Sequence, residues 1–177
     1  MLRRSAVLIA VVACLAAFGV AGCGSKSNSS ASGGSAVTTT ATTHFAKTKF
    51  LLHAGLALGA FHHFIYEPVK AGDLKHPFSH KLTLIKAGVA TLFVVHELKL
   101  AAVDVKSSKI LSTLFAPLTF VANKLSALKS AIVGGSANPA DVTSLNGSLS
   151  QISATAASHG QSISDAIPSV SQLASGG

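Results

Sequence analysis

Cysteine is nearly missing from this chain: Cys14 and Cys23 are the only two in 177 residues. A disulfide framework needs an even set at deliberate spacings, so everything after residue 23 has to hold itself together by packing. Tryptophan is absent, Tyr66 is the single tyrosine, and arginine occurs only at positions 3 and 4. Without guanidinium forks and with few rings for stacking, the chain is not built to bind nucleic acid, and no nucleic-acid partner is expected. Carboxylates are as scarce, since Glu67, Asp73, Glu97, Asp104, Asp141 and Asp165 are the whole set. Isolated acids give paired-carboxylate chemistry little to draw on. There is no nucleophile elbow, no His-Glu-x-x-His, no phosphate-cradling glycine loop and no Cys-x-x-Cys, so the sequence reads as non-enzymatic.

What is present begins at the amino terminus. Met1-Leu2-Arg3-Arg4 is basic, Ala6 to Ala21 is apolar and uncharged, and Gly22-Cys23 follows. A basic start, a moderate apolar run and small residues make the layout of a secretory leader. The run is also shorter than the roughly 20 apolar residues that a spanning helix needs. Within it, Val20-Ala21-Gly22-Cys23 resembles the lipobox of bacterial lipoprotein precursors, a resemblance confined to residues 1–23. It implies a diacylglyceryl group on the thiol of Cys23, cleavage between Gly22 and Cys23, and acylation, as by palmitate, of the new amino terminus. It also implies anchorage to the bacterial cell membrane on its extracytoplasmic side. Cys14 would leave with the leader.

The expected organisation is a signal peptide over residues 1–22, a disordered tether over 23–43, a helical bundle over 44–160, and a short helix with a frayed tail over 161–177. The tether is almost wholly Ser, Gly, Ala, Thr and Asn, a composition that buries too little apolar surface to offset its ordering entropy. From His44 onward, apolar residues recur at helical spacing. Phe50, Ala54, Ala57, Leu58, Phe61 and Ile65 place one buried face on a first helix, about Ala46 to Glu67, which Pro68 and Gly72 should end. A second helix, about Ser79 to Ser107, is apolar nearly all round from Leu82 to Val95 and so belongs in the middle of a bundle or against lipid.

Leu111, Leu114, Leu118, Val121, Leu125, Leu128 and Ile132 form the seam of a third helix, with Pro117 placed to kink it. Asn138-Pro139-Ala140-Asp141 caps a fourth, whose seam is Val142, Leu145, Leu149, Ile152 and Ala156. Ile163, Ile167, Val170 and Leu173 suggest one more short, interrupted helix. The fold class is therefore all-α, a small up-down bundle of about four helices behind a Ser/Gly/Thr tether. Gly55 and Gly59 make a small-xxx-small step, which in a soluble bundle lets a neighbouring backbone come close.

After residue 22, twelve lysines stand against six carboxylates, which suits an anionic envelope surface as a partner, or another envelope protein. Eight histidines raise a metal-binding alternative. His63 and Glu67 are four apart on the first helix, His53 shares their stripe, and antiparallel pairing could bring His96-Glu97 towards them. Imidazole suits a transition metal or haem, so His53, His63, Glu67 and His96 are the candidate ligands, with no cofactor in the main reading. A third arrangement would insert helices 46–67 and 79–106 partly into the bilayer.

Overall fold

The face drawn for the first helix is the one that is buried: Phe50, Ala54, Ala57, Leu58, Phe61 and Ile65 are all inside. The computed structural model describes residues 36–75 and 79–175. The leader, Gly22, Cys23 and the tether up to residue 35 lie outside the described residues. The first helix, α1 (Ala36–Phe61), starts ten residues earlier than the apolar spacing indicates, inside the segment read as tether. Once the turns from His44 onward exist, each further residue adds a hydrogen bond without a new nucleation cost. Alanine favours that growth, and each threonine weakens it by less than about 0.7 kcal/mol.

The stop expected at Pro68 is displaced. A π turn, His62–Tyr66, follows α1 directly, and α2 (Glu67–Ala71) carries Pro68 in its first turn. A proline inside a regular helix lacks a donor and pushes against the carbonyl four residues back. The Glu67 N–H donates to the His62 carbonyl, five residues back, so the helix is widened just ahead of the ring and runs past it. It ends at Gly72, the other expected stop, whose φ of 82° is the left-handed conformation that terminates helices.

The next helix, α3 (Lys81–Lys106), lies between α1 and α4 (Phe115–Val133) and packs along both. Ala87, Ala90, Phe93, Val94, Leu98, Ala101 and Val105 are buried in these contacts. Pro117 does not kink α4, because it falls in the first turn, where no amide has an intrahelical acceptor to lose. Asn138 caps α5 (Pro139–Ser158) by accepting from the Ala140 N–H at 3.0 Å. Val142, Leu145, Leu149, Ile152 and Ala156 are buried along α5 as their spacing predicts. Helix α4 also meets α5 but packs more extensively on α3.

Residues 161–169 form an extended strap rather than a helix, and only α6 (Val170–Ser175) is helical beyond it. Ser169 and Gln172 form a capping box: Ser169 Oγ accepts from the Gln172 N–H, and Gln172 Oε1 accepts from the Ser169 N–H. The strap crosses α1 where the two glycines leave room. The Ala166 N–H donates to the Gly55 carbonyl at 3.0 Å. A Cβ on Gly55 would stand 2.6 Å from the Ser164 oxygen, and one on Gly59 would overlap the Ala166 backbone. Leu173 pins the far end in the core.

The result is an all-α bundle, with no strand among the described residues. Residues 34–177 form one compact unit, and the buried apolar core runs from Ala46 to Leu173 within it. No helix among the described residues is long and apolar enough to cross a membrane.

Candidate functional site

Glu97 and Asp104 are seven residues apart on α3, so they lie two turns apart on one side of it. That side is the α1 contact, amid buried Val94, Leu98, Ala101 and Val105. Into the gap α1 places His53. Its Nδ1–H donates to Glu97 Oε2 at 2.6 Å, while Nε2 is 3.8 Å from Asp104 Oδ2, too far for a hydrogen bond. Glu97 is buried, and His53 and Asp104 are partly so. Asp104 Oδ2 is itself buried and has no hydrogen-bond partner. An imidazole is thus held between two carboxylates, bonded to one and facing the other.

Burial raises the Asp104 carboxyl above its usual value of 3.8, against the opposing pull of His53 and Lys49. The folded chain therefore binds this proton more readily than the unfolded chain. The stability that Asp104 contributes is fully present below the unfolded value and is lost as pH rises through the folded one, so at neutral pH its charge opposes folding. Asp104→Asn should raise stability at pH 7 by about 1 kcal/mol, since a carboxamide occupies the same buried place beside His53 without a charge to desolvate. The gain should shrink as pH falls from neutral towards the usual aspartate value and be gone below it. Urea denaturation of both proteins across that range checks the sign, and a variant less stable at neutral pH would refute it.

The other sequence-nominated residues are placed apart from this site. His63 meets Glu67 at 3.7 Å on the exposed side of the π turn, and His96 points to solvent. It is Glu97, not His96, that α3 brings to α1, because one residue along a helix is a rotation of about 100°. The set His53, His63, Glu67 and His96 is therefore not assembled. Among the described residues no group of three or more His, Cys, Asp or Glu could hold a metal ion.

Two pairings escaped the sequence reading. Asp104 could have been found from its seven-residue offset to Glu97 within a buried register. The second pairing involves His62: Nδ1 meets Asp165 Oδ2 at 2.5 Å and Nε2 meets Asn146 Oδ1 at 2.8 Å. These partners lie 103 and 84 residues away, beyond the reach of any local pattern. One ring thus ties the π turn to α5 and to the strap.

Two open grooves lie away from both histidines. One, of about 490 Å³, runs between α4 and α5 over Leu114, Pro117, Phe120 and Ile152. The other, of about 420 Å³, lies beside α2 and the start of α5, at Tyr66, Lys70, Pro139 and Val142. Neither is lined by a histidine or a carboxylate. Comparison of the chain with protein-family models, with curated proteins and with solved structures finds no match.

Proposed function

We propose that this chain is a lipid-anchored helical protein, held by Cys23 on the extracytoplasmic face of a bacterial cell membrane and acting by contact rather than catalysis. The observation that carries the reading is Val20-Ala21-Gly22-Cys23 at the end of a basic and apolar leader, followed at once by a Ser- and Gly-rich segment. The two acyl chains of the diacylglyceryl group alone would anchor it durably, each buried methylene adding about 0.8 kcal/mol. The body supports a non-catalytic role. The His53 nitrogen that would have to accept a proton from a nucleophile faces Asp104, and its other nitrogen is engaged by Glu97. Such a clamp registers α1 on α3.

Cys23→Ala tests the anchor in a bacterial host. The expected result is release of the protein from the membrane fraction, or accumulation of a precursor that retains residues 1–22 and lacks lipid mass. Unchanged partitioning together with unchanged mass would overturn the reading.

A further inference from the structure

Helix α3 buries two sides and leaves a third uncovered along its whole length. Leu82, Ile85, Leu92 and Val103 on that side are between 46% and 64% exposed, and Lys81, Lys99 and Lys106 are exposed with them. The spacing of the four apolar residues, three, seven and eleven, keeps them in one stripe, on a helix of 26 residues and so about 39 Å long.

The distribution of charge decides what this stripe fits. Helices α1, α3 and α4 carry lysines at positions 47, 49, 81, 86, 99, 106, 124 and 129, and their only carboxylates are Glu97 and Asp104. Both of those are turned onto His53 between α1 and α3. The remaining acids sit elsewhere, on α2, the turn after it, α5 and the strap. The exposed side of α3 is therefore apolar and cationic, with no carboxylate among its exposed residues.

We infer that the outer face of α3 is a docking surface for an anionic lipid bilayer. The four apolar side chains would enter the boundary between headgroups and acyl chains, while the lysine stems lie along it and carry their ammonium groups to the phosphates. Anionic headgroups attract such a face within a Debye length. A second copy of the chain fits less well, because a two-fold contact would set the same uncompensated lysines against one another. The inference deepens the proposed function, on whose membrane location it rests: the anchor brings the body to the bilayer, and α3 sets which side lies on it.

Residues 34–177 contain the whole described core and lack Cys23, so they test the surface without the lipid. They should co-sediment with mixed phosphatidylglycerol and phosphatidylcholine vesicles, not with pure phosphatidylcholine, and less as salt rises. Two variants at exposed positions, Leu82→Ser/Ile85→Ser/Leu92→Ser and Lys81→Gln/Lys99→Gln/Lys106→Gln, should each lower partitioning at least about tenfold, given about fivefold per lysine near an anionic surface. Their circular dichroism should stay that of the parent. Equal binding to both vesicle types, binding to neither, or retained binding by either variant would overturn the inference. None of those results touches the anchor, which the Cys23→Ala experiment decides separately.

Discussion

Replacing His53 by alanine is expected to lower the stability of the folded body by about 3 kcal/mol, the scale for leaving a buried carboxylate without its hydrogen-bond partner. The thermal midpoint should fall by about 10 °C for a domain of this size. Without the ring, Glu97 and Asp104 face each other across a contact lined with alanine, valine and leucine, and each has lost its nearest positive or donating group. Glu97 then joins Asp104 Oδ2, which already lacks a partner. Removing all three polar groups is a different matter: His53→Leu/Glu97→Leu/Asp104→Leu should recover most of the loss, because apolar packing frequently replaces a buried ionic cluster without penalty. Differential scanning calorimetry of the single and triple variants gives the answer. A loss below about 1 kcal/mol for His53→Ala would mean that water solvates the two acids in place of the ring.

Gly59→Val should detach the strap. The added side chain would occupy the space of the Ala166 backbone, an overlap too deep for small adjustments to relieve, so α1 and the strap cannot keep their contact. Overpacking of this kind costs about 1–3 kcal/mol, and here the strap itself is what yields. Its departure exposes Leu173 and takes Asp165 from His62. Limited proteolysis should cut the variant between residues 160 and 170 at a rate well above that of the parent, and α6 should be lost with the strap. Gly147→Ala is the matched control, because a Cβ there meets open space and alanine is the better helix former by about 1 kcal/mol. In a chain ending at residue 160, Gly59→Val should be close to neutral, since the group it displaces is gone. Equal proteolysis of parent and variant would show that the strap has another seat.

Much of the helical body was legible from spacing alone. The buried residues of α5 and nearly all of those nominated for α1 and α4 are the ones that three- and four-residue steps select, because a helix presents those steps on one side wherever it packs. The cap at Asn138 was equally local, a side-chain oxygen two residues from the amide it serves. Proline misled in both of its interior appearances. Its effect depends on where the first turn falls at Pro117, and on whether a π turn precedes it at Pro68, and neither boundary is written in the apolar pattern.

The candidate site was half legible. His53, the helix pair and the i,i+4 neighbours His63 and Glu67 followed from the sequence, but which residue of His96-Glu97 turns inward depends on the rotation of α3 against α1. That rotation is set by the sum of contacts along both sides of α3, where Ala87, Ala90, Ala101 and Ala102 allow more than one approach. The partners of His62, and the strap seated on Gly55 and Gly59, are contacts between distant parts of the chain. The sequence by itself determined an all-helical body, its buried faces and the Cys23 signature, because these depend on local periodicity and on neighbours in the chain. Only the tertiary structure decided which polar residues meet inside and which side of α3 is left uncovered, because both follow from how the helices rotate against one another to bury their apolar surface.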